Sequence, residues 1–255
     1  MTFIDLKRFK LISLAGLCGL VVALAGCRTQ QNGALTMPQG EFTYNLPCRV
    51  VNIHTEKPGK AVLFLWLHGG VHDRSKHDLL TKNHLDLCAA DDSIVNYLDR
   101  HDIKAIALFP ICHKAWVPEC VAWKDCAIEV RRMIDDYVNK GLVDPERIYL
   151  AGSSDGGVGA WDYAAEMGDV FAAAISMSCD EPRMSAMPVY FFGTKSESDC
   201  TAQVDSLKQL GCNVYYKYCP QYRHGGDAAE CTEALLKHFF SNTLHRRHNL
   251  SLEFK

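Results

Sequence analysis

Residues 147–161 read Arg-Ile-Tyr-Leu-Ala-Gly-Ser-Ser-Asp-Gly-Gly-Val-Gly-Ala-Trp, a short apolar strand that leads into a serine bracketed by glycines and then a helix-compatible run. The pattern Gly152-x-Ser154-x-Gly156 spans the junction. It is typical of a sharp strand-to-helix turn that exposes the middle serine, where small neighbours let two backbones approach closely. Ser154, and not Ser153, is in the middle. The segment therefore predicts a nucleophile elbow with Ser154 as the nucleophile.

The N-terminus has the pattern of a targeting segment. A basic stretch, Lys7 to Lys10, precedes an apolar run, Leu11 to Ala25, which is too short for a typical membrane span and indicates a secretory signal over residues 1–26. The closing Leu24-Ala-Gly-Cys27 resembles the lipobox of bacterial lipoproteins. That resemblance implies lipidation of Cys27 and attachment to the cell envelope, at the outer membrane or the periplasmic face. An ordinary cleaved signal peptide is the alternative.

The rest of the chain is long enough for one domain with a sizeable core. Residues 27–40 are polar and aperiodic and indicate a flexible tether, residues 41–241 form the predicted domain, and residues 242–255 form a polar tail. Without residues 1–26, which hold three basic residues and one acidic residue, the net charge is (27 − 3) − (30 − 1) = −5. This mildly acidic balance argues against a nucleic-acid partner.

The cysteines and histidines give no metal-site pattern. Ten of the 12 cysteines fall after Cys27, and an even number in an exported chain favours disulfides or core thiols over zinc, because the tight spacing of a zinc ribbon is missing. His68, His72, Asp73 and His77 form a loose cluster that is better explained as loop residues around an active-site mouth. No metal is expected.

Apolar strand patterns alternate with helical patterns along the domain. Ala61 to Leu67 is a continuous apolar run, which predicts a central strand covered on both faces. Further strands and helices alternate as far as a helix over residues 228–240. This order predicts an α/β fold with a mostly parallel sheet and helices on both faces. Ligands bind such sheets beyond the carboxyl ends of the strands.

The candidate catalytic residues follow predicted strands. A serine hydroxyl needs a base, and His224 lies in a loop between the last strand and the last helix, at the same edge as Ser154. An acyl-transfer intermediate also needs N–H donors for its oxyanion. Asp155, which follows the nucleophile, supplies one, and Gly69 or Gly70, directly after the strand that ends at Leu67, supplies the other.

These segments together resemble the α/β-hydrolase superfamily. The resemblance rests on Leu65-Trp-Leu-His-Gly-Gly70, residues 144–161, Pro188 to Gly193 and His224-Gly225, and covers roughly residues 49–240. Within the superfamily the chain is most similar to esterases and polyhydroxybutyrate depolymerases, a group that includes feruloyl and acetylxylan esterases. It implies serine ester hydrolysis through an acyl-enzyme, without a cofactor, on small-molecule or polysaccharide esters.

The acid of the catalytic triad departs from this pattern. In that group an aspartate usually stands three residues after the glycine that corresponds to Gly193, where this chain has Ser196. Asp199 is the preferred substitute, and Glu197 and Asp180 are alternatives. A serine peptidase on the same fold, or a binding lipoprotein that has lost the triad, are the alternative functions.

Overall fold

A computed structural model describes residues 35–36, 46–70, 89–112 and 121–250 of the chain, with 35–36 and 89–92 as backbone only. All of them belong to one compact unit, Gly33–Lys255. The predicted signal peptide and the lipidation site Cys27 lie outside the described residues, as do His72, Asp73 and His77.

One eight-stranded sheet forms the centre of this unit. Its strands are β1 Leu35–Thr36, β2 Cys48–Ile53, β3 Ala61–Leu67, β4 Ala105–Pro110, β5 Val143–Ser153, β6 Ala173–Met177, β7 Val189–Thr194 and β8 Val214–Cys219. Their order across the sheet is β1-β2-β4-β3-β5-β6-β7-β8. The pairs from β4 to β8 are parallel, and β2 runs antiparallel to both β1 and β4.

Helices connect the parallel strands. They are α1 Ala89–Arg100, α2 Ala127–Asn139, α3 Asp155–Glu166, α4 Thr201–Gln209 and α5 Glu233–Phe240, with 3-10 turns at Trp123–Cys126 and Gly226–Glu230. The predicted α/β class, with its mostly parallel sheet and two helical layers, is confirmed.

Strand β3 shows how the layers are packed. Every residue of Ala61–Leu67 is almost fully buried. Leu63, Leu65 and Leu67 belong to a core cluster shared with α2, α3 and α4, whereas Val62, Phe64 and Trp66 belong to a second cluster shared with α1 and α5. Successive side chains of a strand point to opposite faces, so an unbroken apolar run covers both. Burial of each large side chain contributes roughly 1.5–3 kcal/mol.

Some boundaries differ from the expected ones. Leu35–Thr36 pairs with β2, so the sheet extends into the range predicted as a tether. The single helix expected over residues 228–240 divides at Thr232, whose Oγ1 accepts a hydrogen bond from the Leu235 N–H at 3.3 Å and caps α5. In the predicted tail, Asn242 and Leu250 are buried, and the Asn242 side chain donates to the Tyr190 hydroxyl at 3.1 Å.

The described cysteines are mostly core thiols. Cys126 is disulfide-bonded, whereas buried thiols occupy Cys48, Cys112, Cys179, Cys200, Cys212, Cys219 and Cys231. Within the described ranges, no helix combines the length and apolar character needed to cross a membrane.

Candidate active site

Ser154 stands at a strained turn between β5 and α3. Its backbone angles, φ 61° and ψ −125°, lie outside the regions that a residue with a side chain ordinarily adopts. Such a conformation costs on the order of 1–3 kcal/mol and persists only where its surroundings enforce it. The Ser154 N–H donates to the Met177 carbonyl at the end of β6 at 3.0 Å, and its carbonyl accepts from the Val158 N–H of α3 at 3.0 Å.

Two glycines make this turn possible by close approach. A Cβ at Gly152 would lie 2.1 Å from the Gly156 carbonyl oxygen, and a Cβ at Gly156 would lie 1.9 Å from the Leu67 carbonyl oxygen. Neither position can hold a side chain while α3 starts this close to β5 and β3. The Gly-x-Ser-x-Gly spacing is therefore a packing requirement of the elbow.

The loop after β3 lies against the serine. A Cβ built on Gly69 would be 3.0 Å from Ser154 Cβ and 3.6 Å from Ser154 Oγ. Asp155 is the first residue of α3, so its N–H lies at the positive end of that helix. The structure thus places Gly69 and Asp155, two of the three residues expected to form an oxyanion hole, on two sides of Ser154, and Gly70 follows directly in the same loop.

His68 fixes this loop and does not compete with His224 as the base. Its Nε2 accepts the Cys112 N–H at 3.1 Å, so its proton lies on Nδ1, which donates to the Gly69 carbonyl at 2.6 Å. The His68 carbonyl accepts from Trp123 Nε1 at 3.0 Å. With both ring nitrogens engaged and the side chain buried, His68 acts as a support for Gly69.

His224 lies between β8 and the 3-10 turn that begins at Gly226. Its Nδ1 is 2.6 Å from Glu197 Oε1, and its backbone N–H donates to Ser196 Oγ at 3.0 Å. The histidine side chain is half exposed, while 7% of the Glu197 side chain is exposed. A half-exposed imidazole held by a buried carboxylate has the arrangement of a general base with its orienting acid.

Glu197 is itself held from the other side. Its Oε2 accepts the Thr194 N–H at 2.9 Å and the Thr194 hydroxyl at 2.6 Å. Burial raises the pKa of Glu197, but hydrogen bonds from Thr194 and His224 outweigh it and lower that pKa below its ordinary value. The residue is therefore a carboxylate at neutral pH.

The preference for Asp199 as the partner of His224 does not match this geometry. Asp199 Oδ1 accepts the Thr201 N–H at 2.9 Å and the Thr201 hydroxyl at 2.7 Å, at the start of α4. Hydrogen bonds from Thr201 lower the pKa of Asp199. Asp180 accepts the Ser198 N–H at 3.5 Å. Among the described carboxylates Glu197, an alternative in the sequence analysis, is the one in contact with the His224 ring.

A cavity of about 220 Å³ opens beside the elbow. Its lining combines apolar surface from Trp123 and Val158 with the carboxylate-bearing residues Asp155, Asp162 and Glu181. Cys112 also lines it, and burial raises the pKa of this thiol to about 12, so it is protonated and is not a competing nucleophile. Two tryptophans lie in the segment between β4 and α2. Trp123 lines the cavity, and Trp116 lies outside the described residues.

Across residues 46–70, 89–112 and 121–250, no group of three or more histidine, cysteine or acidic side chains could hold a metal ion.

Several solved structures have a fold similar to that of this chain. The chain superposes on a thermostable esterase with a TM-score of 0.64 at 19% identity, over 84% of this chain and 64% of that one. The chain has the α/β-hydrolase fold. It also superposes on esterase 2 of Thermogutta terrifontis, solved in a form phosphorylated by paraoxon. The TM-score is 0.57 at 15% identity, over 87% of this chain and 95% of that one. The acylaminoacyl peptidase of Pyrococcus horikoshii matches with a TM-score of 0.58 at 12% identity, over 93% of this chain and 45% of that one.

The chain spans just under two thirds of the thermostable esterase. No protein-family model and no curated protein sequence matches it. The likeness to these esterases and hydrolases therefore establishes the α/β-hydrolase fold alone.

Three residues that support this site were not found from the sequence: Thr194, Ser178 and Asp227. Thr194 ends β7 directly after Gly193, but a threonine at the end of a strand is too common to be a signal. Ser178 and Asp227 are bonded to each other across 49 positions of sequence, and no local pattern links them.

Proposed function

We propose that the chain is a serine ester hydrolase with Ser154 as nucleophile, His224 as base and Glu197 as the acid of the triad. The observation that carries the proposal is the 2.6 Å contact between His224 Nδ1 and Glu197 Oε1, in a chain whose Ser154 occupies a strained elbow. A buried acid, a histidine and a partly exposed serine are the three parts of a system that activates a hydroxyl nucleophile.

The proposed reaction runs through an acyl-enzyme. Glu197 accepts a hydrogen bond from His224 Nδ1–H, which keeps the proton on Nδ1 and leaves the Nε2 lone pair to take the proton of Ser154 as its oxygen attacks the ester carbonyl. The N–H groups of Asp155 and of Gly69 or Gly70 stabilise the resulting oxyanion. The histidine then gives its proton to the leaving alcohol, and water repeats the sequence to release the acid.

The substrates we propose are small acyl esters, including acyl groups carried on polysaccharides. A cavity of about 220 Å³ is at the small end for an organic group, and it suits a short acyl chain or one sugar unit. Its mixed apolar and carboxylate lining suits a neutral, hydroxyl-bearing group better than an anionic one. The similarity to feruloyl and acetylxylan esterases inferred from the motifs points the same way.

The proposal is tested by changing Ser154 and its neighbour in parallel. Ser154→Ala removes the nucleophile, and we expect it to abolish both 4-nitrophenyl acetate turnover and labelling by a fluorophosphonate. Ser153→Ala makes the same chemical change one position earlier, at a buried serine, and should keep both. Labelling of Ser154→Ala at the wild-type rate would contradict the proposal.

A serine peptidase is the second candidate, because the acylaminoacyl peptidase of Pyrococcus horikoshii shares the fold. The chain spans 45% of that protein, so the likeness does not extend to its whole architecture. A panel of matched ester and anilide substrates with the same acyl group decides between the two activities. The third alternative, a binding protein without a triad, is disfavoured because a carboxylate does contact His224.

We also propose that the mature protein is a lipoprotein of the bacterial cell envelope, anchored through Cys27. The support is the signal-like segment and the Leu-Ala-Gly-Cys sequence. Cys27→Ser should move the protein from the membrane fraction to the soluble fraction after cell fractionation. A variant that stays membrane-bound to the wild-type degree would sink the lipoprotein assignment.

A further inference from the structure

A second buried carboxylate lies near the base but has no part in the proposed triad. Asp227, in the 3-10 turn after His224, is fully buried. Its Oδ2 accepts the Ser178 N–H at 2.7 Å, and its Oδ1 accepts the Ser178 hydroxyl at 2.6 Å. Burial and the charge of Glu197 raise its pKa, while the bonds from Ser178 oppose the rise. A buried carboxylate is costly unless it is hydrogen-bonded, and here Ser178 supplies hydrogen bonds to both of its oxygens.

Ser178 also contacts the loop that carries His224. Its Oγ accepts the Gly225 N–H at 2.8 Å, so one hydroxyl both donates to Asp227 and accepts from the residue after His224. One residue earlier, Ser196 Oγ accepts the backbone N–H of His224 at 3.0 Å. The peptide N–H groups of residues 224 and 225 are therefore each fixed by a serine hydroxyl.

Ser178 is also joined to the nucleophile. It directly follows Met177, whose carbonyl accepts the Ser154 N–H at 3.0 Å. Ser178 itself has a left-handed backbone, φ 50°, which is unfavourable for a residue with a side chain. Its N–H donates to the Phe192 carbonyl at 3.1 Å as well as to Asp227, and its hydroxyl donates to Asp227, so three acceptor atoms hold this conformation.

We propose that Ser178 and Asp227 are positioning residues, which set the His224 loop relative to the Ser154 elbow. The inference rests on the proposed function, because it assigns these residues to the reaction in which Ser154 and His224 take part. The pair acts through the Gly225 N–H and through Met177, and neither residue touches the substrate.

Replacing Asp227 or Ser178 by a similar residue removes hydrogen bonds between them. An amide at position 227 offers one acceptor and one donor where the Ser178 N–H and hydroxyl require two acceptors. An alanine or glycine at position 178 leaves the Gly225 N–H and a buried carboxylate short of one hydrogen bond each. A displacement of about 1 Å between base and nucleophile is enough to lower a rate about a hundredfold.

The experiment separates positioning from folding by two opposite changes at position 178. Ser178→Gly removes the hydroxyl but suits the left-handed backbone, so relief of strain offsets part of the lost hydrogen bonding; we expect kcat for 4-nitrophenyl acetate to fall ten- to a hundredfold, with no greater fall in thermal midpoint than Ser178→Thr. Ser178→Thr keeps the hydroxyl but strains the backbone, so its midpoint should fall while kcat stays within about threefold of wild type. KM should change less than about twofold in both.

Asp227→Asn is the second variant and should lose kcat to a similar extent. Ser185→Ala is the matched control, because it removes a buried hydroxyl that donates to the Ala164 carbonyl at 3.1 Å, far along the chain from His224. Wild-type kcat in both Ser178→Gly and Asp227→Asn would overturn the positioning role, as would losses that simply follow the thermal midpoints. Failure of the proposed function gives a different result, since the wild-type protein would then neither turn over the ester nor label at Ser154.

Discussion

The two oxygens of Glu197 face different partners. Oε2 is held by the Thr194 N–H and hydroxyl, and Oε1 faces His224 Nδ1. The first two bonds restrict the rotation of the side chain, so in the proposed reaction the carboxylate is already in place when His224 becomes charged. In the proposed triad this preorganisation offsets the greater length and flexibility of a glutamate compared with the usual aspartate.

We predict that Glu197→Gln lowers kcat by about three to four powers of ten. The loss of the carboxylate leaves the histidine tautomer unset and its positive charge uncompensated in the transition state. Steady-state hydrolysis of 4-nitrophenyl acetate measures the effect, and circular dichroism checks that the fold is kept.

Asp199→Asn is the matched control for that variant. It makes the same change two residues later, at a carboxylate that binds Thr201 instead of His224. We expect kcat to stay within about threefold of wild type. The reverse ranking, with Asp199→Asn inactive and Glu197→Gln active, would assign the acid to Asp199.

The identity of Ser154 and His224 as candidates could be predicted from sequence, whereas the choice between Glu197 and Asp199 could not. Both carboxylates follow β7 within a few residues, and which one meets the imidazole depends on the path of the loop. One local signal was available: Asp199-x-Thr201 at a helix start is typical of an aspartate that binds backbone and hydroxyl two residues on. That pattern disfavours Asp199 as a free acid.

The contact between α3 and β3 depends on the missing side chain of Gly156. A Cβ there would meet the Leu67 carbonyl at 1.9 Å and the His68 carbonyl at 2.7 Å, and backbone atoms of a central strand cannot move aside cheaply. We predict that Gly156→Ala lowers the free energy of unfolding by about 3 kcal/mol or more, or prevents folding. Urea unfolding followed by tryptophan fluorescence measures the change.

Gly168→Ala is the control for the glycine prediction. It adds the same methyl group after the far end of α3, where the nearest atom, the Ala164 carbonyl oxygen, is 3.3 Å away. Its effect on stability should stay below about 1 kcal/mol. If Gly156→Ala were as stable as Gly168→Ala, the close packing of the elbow on β3 would be refuted.

Elements with a strong periodic pattern could be predicted, and those that depend on capping were harder. The strand Ala61–Leu67 was predicted to the residue because all seven side chains are apolar and both faces of the sheet are covered. The expected helix over residues 228–240 failed because the Thr232 cap interrupts it. An internal threonine is compatible with a helix, so only the backbone of the preceding turn reveals its role.

The sheet brings together residues that are distant in sequence. Gly69, Ser154 and Glu197 follow the carboxyl ends of β3, β5 and β7, which point the same way because these strands are parallel. The sequence therefore predicted the edge at which the site forms. The bonds that tie this edge together, such as Asp227 to Ser178, could not be predicted, because they depend on how separate loops pack.

The cavity lining carries acidic residues, as does the molecule as a whole. The chain carries a net charge of −3, and the cavity lining includes Asp155, Asp162 and Glu181. Arg183 is the counter-ion for two of them, with contacts of 3.0 Å to Asp162 and 2.8 Å to Glu181. The positive charge of Lys124 also acts on Asp162. Three carboxylates against these two cations leave an excess of negative charge at the cavity, which disfavours anionic substrates during encounter and in the transition state.

We predict that the protein discriminates against an ester whose acyl group ends in a carboxylate. The test compares 4-nitrophenyl hemisuccinate with its neutral methyl ester, which share the leaving group and reacting carbonyl. At low salt, kcat/KM for the anionic substrate should be at least about tenfold lower, and the gap should narrow as added salt shortens the Debye length to about 10 Å at 0.1 M.

The carboxylates can then be tested singly. Glu181→Gln removes one charge from the cavity lining and frees Arg183 from that partner, so it should raise kcat/KM for the anionic ester about two- to threefold with little effect on the neutral one. Glu56→Gln removes the same charge from an exposed glutamate in the turn between β2 and β3 and should change neither. Equal rates on both esters at low salt would contradict the prediction, because other groups would then compensate the charge of the cavity. A response to Glu56→Gln as large as that to Glu181→Gln would mean that the net charge of the protein, and not the position of the carboxylates, sets the preference.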